Sequence, residues 1–204
     1  MTPPVQVVRT PAANTDRLLG ALRRAGARTA SRAPARLRAD AGPIVLPGVS
    51  SFPTIAGALA PARSELRRAA RSGVPLLGIC AGLQVLFETS EEGPGEGLAI
   101  LPGRVRRLAS RRRPHLGWAR LDREGPGPLG GALEASAYAY FAHSYRVPGP
   151  SAGTVFSSVH RRERFPSAIA VGNVWGTQFH PELSGAVGAA VLADFVRSAG
   201  ATRR

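Results

Sequence analysis

Two kinds of hydrophobic patterning divide this chain. In the first half, short unbroken apolar runs alternate with segments whose apolar residues recur every three or four positions. Val5–Val8 and Pro43–Leu46 are such runs and predict buried strands. Thr15–Ala25 carries Leu18, Leu19 and Leu22 at helical spacing and meets Gly26, so it predicts an amphipathic helix with a stop. Ala62–Arg71 predicts a polar-faced helix closed by Ser72-Gly73, which leads into a strand over Pro75–Ile79 and a helix over Ala81–Glu88. Strands separated by helices predict a parallel sheet covered on both faces.

The second half changes character. Gly103–Leu108, Leu116–Leu121, Tyr138–Ala142, Thr154–Val159, Ala168–Val171 and Trp175–Phe179 read as short strands between Gly-, Pro- or Arg-rich turns. Gly185–Ser198 closes the chain as a helix with Val187, Val191, Leu192 and Phe195 on one face. Gly125-Pro126-Gly127-Pro128 is the clearest loop, and Arg203-Arg204 reads as a frayed end. The expectation is an α/β fold: a mostly parallel central sheet flanked by helices, with a β-rich second half. One domain over residues 1–204 suits that length.

Charge alters this picture less than its size suggests. The net charge is +14, and all 27 basic residues are Arg. Abundant Ala, Gly and Pro beside an absence of Lys point to a GC-rich coding bias. The densest cluster is Arg104, Arg106, Arg107, Arg111, Arg112 and Arg113, with Arg161, Arg162 and Arg164 as a second. Neither is interleaved with aromatics as a single-strand binding surface would be, and no helix-turn-helix or RNA-recognition signature is present. A solvated basic loop is favoured over a nucleic-acid site, with docking to an acidic partner or a phosphorylated substrate as a third reading. The longest apolar stretch, Val74 to Phe87, is too short to span a bilayer. The first residues lack a basic and an apolar signal region, and the single cysteine permits no internal disulfide, so a soluble cytoplasmic protein is expected.

That cysteine carries the chemistry. Pro75–Ile79 ends in Gly78-Ile79-Cys80-Ala81-Gly82, the cysteine form of a nucleophile elbow, in which a sharp strand-to-helix turn exposes a reactive side chain at the sheet's carboxyl edge. Small neighbours are needed because such a turn is strained. Helix amides beyond the turn would favour the thiolate. His180-Pro181-Glu182 supplies a general base and a carboxylate to orient it. A buried structural cysteine is the plainer alternative for a lone Cys; the flanking glycines and the later His-Pro-Glu outweigh it.

Cys80, His180 and Glu182 together resemble the class I glutamine amidotransferases. The blocks Pro47-Gly48-Val49, Gly78 to Glu88, Ser90-Glu91-Glu92-Gly93, Leu101-Pro102-Gly103, Pro114-His115-Leu116-Gly117-Trp118, Tyr140 to Tyr145 and Gly176 to Glu182 narrow this further. They are similar to the glutaminase subunit of imidazole glycerol phosphate synthase, over about residues 43 to 199. The resemblance implies hydrolysis of glutamine to glutamate and ammonia through a Cys80 thioester, with His180 as acid and base. It implies an oxyanion hole from Ala81 and from the Gly48–Val49 loop. Gln84, one turn beyond Cys80, with Glu92, Ser144 and Tyr145, would hold the ends of glutamine. Plainer readings stand beside these: Gln84 as packing in a buried helix, Glu92 as a loop carboxylate, Tyr145 as a core aromatic. The implied partner is a β/α-barrel cyclase that receives the ammonia for histidine synthesis, docking on Asn14, Trp118 and Tyr140. No cofactor is implied, and no His pair has metal-ligand spacing. Of the other histidines, His143 is expected near the glutamine site, His115 on a strand face shared with Trp118, and His160 in solvent.

The chain departs from the family pattern in three places. Arg9-Thr10-Pro11-Ala12-Ala13-Asn14 replaces an Asp-Tyr-Gly-x-Gly-Asn turn, Ser50 replaces a glycine, and Leu183 replaces a lysine that pairs with the cyclase. The rival readings are a paralogue feeding ammonia to another synthase and a catalytically weak relative acting as a binding subunit.

Overall fold

The computed structural model describes residues 3–12, 15–131, 133, 137–148 and 153–201. The first half forms β1 (Val5–Val8), α1 (Thr15–Arg24), β2 (Thr29–Arg32), β3 (Ile44–Leu46), α2 (Phe52–Leu59), α3 (Arg63–Arg71), β4 (Leu76–Ile79) and α4 (Ala81–Gln84). The second half adds β5 (Thr89–Ser90), β6 (Arg104–Arg107), β7 (His115–Arg120), β8 (Asp122–Arg123), β9 (Tyr138–His143), β10 (Tyr145–Arg146), β11 (Thr154–His160), β12 (Glu163–Val171), β13 (Val174–Thr177) and α5 (Gly185–Ala201).

Every residue of β1, β3 and β4 is buried, which explains why these strands read as unbroken apolar runs rather than alternating ones. Alternate side chains enter different cores. Val5, Val7, Val45, Leu77 and Ile79 pack with α1 and α5 through Leu18, Leu22, Val191 and Phe195. Val8, Ile44, Leu46 and Leu76 pack with α2 and α3 through Ile55, Leu59 and Leu66. Each fully buried side chain of this size contributes ~1.5–3 kcal/mol. α1 begins with Asp16 and ends with Arg23 and Arg24, signs that suit its dipole.

The main sheet has the order β2-β1-β3-β4-β13-β12-β11-β8. β2, β1, β3, β4 and β13 are parallel, and β12, β11 and β8 extend them antiparallel. β10-β6-β5 and the β7-β9 ribbon form separate small sheets. The parallel sheet and the β-rich second half thus share one mixed sheet.

The short strands β2, β5, β8 and β10 are additional to those expected, and three further elements differ. The helix after Cys80 ends at Gln84 instead of continuing to Glu88. The carbonyls of Val85, Leu86 and Phe87 are taken by amides of Leu98, Ile100, Leu101 and Ala99, which diverts the chain from helical geometry. α2 is additional; Ser51 caps it by accepting from the Thr54 amide, and Pro53 occupies its first turn. β12 starts at Glu163 rather than Ala168, because Pro166 is accommodated opposite Ser157 beside a bulge in β11.

Much of the basic surface is engaged within the chain. Arg106 pairs with Glu91 at 3.1 Å, Arg146 with Glu163 at 2.6 Å, and Arg164 with Asp122 and Glu124. Among the described residues no helix is long and apolar enough to cross a membrane, and no group of three or more His, Cys, Asp and Glu could hold a metal ion.

Candidate active site

β4 and β13 are parallel neighbours with Ile79 opposite Thr177, so the residues just past both carboxyl ends meet. The Cys80 amide donates to the Thr177 carbonyl at 2.7 Å. Cys80 then turns sharply, with φ 54° and ψ −112°, a conformation costing a residue with a β-carbon ~1–3 kcal/mol. Close packing imposes it. A β-carbon at Gly82 would lie 1.8 Å from the Leu46 carbonyl oxygen, and one at Gly48 would lie 2.5 Å from the Gly82 nitrogen. Only glycine fits either place.

The turn sets Cys80 in the wall of a cleft of ≈ 370 Å³ that also takes in Val49, Ser50, Gln84, Glu92, Ser144, Tyr145 and His180. That volume falls at the small end of small-molecule sites. The sulfur accepts from Gln178 Nε2 at 3.6 Å and points its own proton at the Ala142 carbonyl, 3.8 Å away.

His180 is held by its backbone and its ring. Its amide donates to the Tyr140 carbonyl at 2.9 Å, and its carbonyl accepts from Ser184 Oγ at 2.7 Å. Pro181–Leu183 form a single 3₁₀ turn that brings Glu182 back, with Oε1 3.0 Å from His180 Nδ1. The carboxylate accepts, so Nδ1 carries the proton and Nε2 is left to act as base. Burial opposes a charge on His180, but hydrogen bonding and attraction to Cys80 and Glu182 overcome it and raise its pKa to about 10. At neutral pH His180 is therefore an imidazolium, and it faces Cys80. With α4 only one turn long, helix amides add little at Cys80; His180 takes the part the sequence assigned to them.

Gln84 is 3 % exposed, and its Nε2 donates to the Tyr145 carbonyl at 2.9 Å and to Gln178 Oε1 at 3.1 Å. Both amide hydrogens are thereby committed, so it can offer the cleft only an acceptor oxygen. His143 Nδ1 shares the Tyr145 carbonyl at 2.8 Å, and burial, with the neighbouring His115, His160 and His180 charges, lowers its pKa to about 3. Glu92 Oε2 accepts from the Phe52 amide at 2.6 Å, so this wall residue also pins the start of α2. The Ser144 carbonyl accepts from the Leu108 amide at 2.9 Å. The Tyr145 hydroxyl accepts from Arg107 at 2.9 Å, with the guanidinium 5.4 Å from the ring centroid. The Ala81 amide, expected to face an oxyanion, donates to the Gly48 carbonyl at 3.2 Å.

Beside the cleft, the β7-β9 ribbon shows an apolar face. Leu116 is 66 %, Trp118 57 % and Tyr138 51 % exposed, and Trp118 lies opposite Tyr140 with ring centroids 6.1 Å apart. Asn14 lies outside the described residues. His115 does not share this face. It is three residues from Trp118 on a strand, which puts it on the other side, buried and stacked 4.8 Å from Phe141. His160 is likewise buried rather than in solvent, 4.6 Å from the His115 ring and bonded to the Arg112 carbonyl at 2.8 Å. Gln178, whose Nε2 lies 3.6 Å from Cys80 Sγ, is not among the candidates read from the sequence. Its signal was a polar residue between Thr177 and Phe179, one step past a fully buried strand whose last residue lies opposite Ile79.

Known proteins resemble this chain in sequence and in fold. The family model for "Glutamine amidotransferase class-I" matches residues 17–199. The chain is 40% identical to the "Imidazole glycerol phosphate synthase subunit HisH" of Synechococcus elongatus, over 99% of this chain and 96% of that one. The protein of the same description from Halobacterium salinarum is 44% identical over 77% and 76% of the two chains. Among solved structures, PurLQS from Thermotoga maritima superposes with a TM-score of 0.78 at 24% identity, covering 97% of this chain and 99% of that one. The Trypanosoma brucei CTPS glutaminase domain with bound acivicin gives 0.71 at 15% identity, covering 100% and 95%. These structures share the fold. The chain belongs to the class-I glutamine amidotransferases, in the branch of the imidazole glycerol phosphate synthase HisH subunits.

Proposed function

We propose that this chain is the glutaminase half of a two-subunit synthase, hydrolysing L-glutamine to glutamate and ammonia and passing the ammonia to a cyclase subunit in histidine biosynthesis. The observation that carries the reading is the meeting of Cys80 and His180 in one cleft, with Glu182 bonded to the His180 ring and an exposed apolar ribbon alongside.

The Cys80 thiolate attacks the side-chain amide carbon, forming the C–S bond and an oxyanion. The amides of Ala81 and Val49 receive that charge, which requires the Gly48 carbonyl to leave the Ala81 amide. His180 gives its Nε2 proton to the departing nitrogen; the C–N bond breaks, releasing ammonia and leaving a thioester. Neutral His180 then takes a proton from water as the water attacks the thioester carbon, and the sulfur departs as thiolate. Glu182 keeps Nδ1 protonated throughout. The Gln84 oxygen and the Glu92 carboxylate suit the α-ammonium end of glutamine, and the Ser144–Tyr145 backbone suits its α-carboxylate.

Trp118, Tyr140, Leu116 and Tyr138 form the face on which the cyclase docks, where large aromatics suit a partly apolar contact. The test is glutamate release with and without a co-purified cyclase and its ribonucleotide ligand, with Cys80→Ala as control. Activity that needs the cyclase and vanishes in the variant is expected. Activity indifferent to the cyclase would redirect the ammonia to another synthase, the reading that Leu183 keeps open because it brings no charge to an ion pair.

A further inference from the structure

We infer that Gln178 is a further catalytic residue, whose side-chain amide holds the Cys80 sulfur as thiolate in an orientation fixed by Gln84. The inference rests on the glutaminase reading of the cleft. Gln178 is fully buried, and its backbone amide is anchored on the Ser167 carbonyl at 2.9 Å.

The direction of its amide follows from the network. The Tyr145 carbonyl can only accept, so the Gln84 atom 2.9 Å from it must be the nitrogen. That nitrogen's other contact, 3.1 Å away, must then be the oxygen of Gln178. The Gln178 nitrogen is left facing Cys80 Sγ at 3.6 Å, with an N–H to give. The opposite arrangement would set two oxygens against each other at Tyr145.

A donor here has a chemical purpose. The sulfur's other fixed backbone neighbour is the Ala142 carbonyl, 3.8 Å away, which suits a thiol proton and repels a thiolate. An apolar side chain would fill the Gln178 site as well but would leave His180 alone to oppose that repulsion. A charged acceptor gains more from a hydrogen bond than a neutral one. The Gln178 N–H therefore favours the thiolate before attack, loses most of its hold on the thioester sulfur, and regains it as the C–S bond breaks and the electron pair returns to Sγ. It acts on the attacking and the leaving sulfur alike. Gln84 shares the chain of hydrogen bonds, so a ligand that pulls on Gln84 changes the aim of the donor at the nucleophile.

Cys80 is the single cysteine, so its alkylation by iodoacetamide reads one sulfur. The experiment is the pH dependence of that alkylation in the full chain, for wild type, Gln178→Met and Gln178→Glu, with glutamate release measured in parallel on the cyclase complex. Gln178→Glu keeps the shape and the bond from Gln84 but puts an acceptor on the sulfur. The alkylation midpoint should rise by about one pH unit in Gln178→Met and further in Gln178→Glu. Turnover should fall about tenfold at neutral pH with KM within about twofold, because less thiolate is present. Folded variants whose alkylation profiles overlay wild type would overturn the inference. A wild-type complex with no glutaminase activity would instead sink the reading beneath it. A measurement without substitution covers variants that do not fold. In ¹⁵N-labelled wild-type protein, one glutamine side-chain NH₂ signal should move with the Cys80 titration and stay still in Cys80→Ala; no moving signal would equally overturn the assignment.

Discussion

The Ala81 amide donates to the Gly48 carbonyl at 3.2 Å, so one of the two donors suited to an oxyanion is already engaged by the loop that should bring the other. Turning over the Gly48–Val49 peptide would free the first and supply the second in one motion. Ser50 follows that peptide and is more restricted than a glycine. Ser50→Gly should raise glutamate release by the free chain about fivefold, the rate equivalent of ~1 kcal/mol, with KM unchanged. A steady-state assay decides it, and an unchanged turnover would remove Ser50 from the switch.

Glu182 orients His180 across 3.0 Å. In Glu182→Gln the nearest group can present an N–H to Nδ1 and favour the wrong tautomer. The kcat should fall by ~10²-fold or more with little change in KM. Retention of wild-type turnover would mean that backbone contacts alone hold the ring.

Trp118 and Leu116 touch solvent rather than core, so their loss should weaken docking without weakening the fold. Trp118→Ala should raise the Kd for the cyclase by ~30-fold, as a central aromatic anchor does. Its thermal unfolding should match wild type. Calorimetric titration beside a melting curve separates the two effects.

The histidine cluster makes stability fall on acidification. Burial, then the His160 charge, lowers the His115 pKa to about 4, and His143 is lowered to about 3. Both lie below the unfolded value of about 6.5, so the unfolded chain binds protons first. Their contribution is complete above about pH 6.5 and is lost progressively as pH falls from there to about 4 for His115 and about 3 for His143. His180 runs the other way: its raised pKa contributes fully below about 6.5 and is lost as pH climbs through about 10. Urea midpoints measured between pH 7.5 and 4.5 should therefore decline on the acid side. His115→Phe, which keeps the stack on Phe141, should flatten that decline.

What could be read from the residues, and what could not, follows from how local each cause is. The strands under Cys80 were legible because burial on both faces demands unbroken apolar runs, and the elbow because its close contacts exclude all but small neighbours. α2 was missed although Ser51 and Pro53 mark its start. The helix beyond Cys80 was drawn too long because Val85, Leu86 and Phe87 continue its apolar character; distant amides at Leu98 to Leu101 claim their carbonyls. β2, Thr29–Arg32, has no pattern of its own and is a strand because β1 pairs with it. His160 was misplaced because the arginines around it suggest solvent while its own side of β11 faces inward. Gln178 shows its role only once β13 is set beside β4.

That placement has a consequence for the protein's birth. β13 follows every other described strand in sequence, yet it sits between β4 and β12 in the middle of the sheet. A nascent chain that has already exposed Cys80 has no His180 or Gln178 to ionise it. The cysteine gains both partners only when β13 enters the gap between β4 and β12.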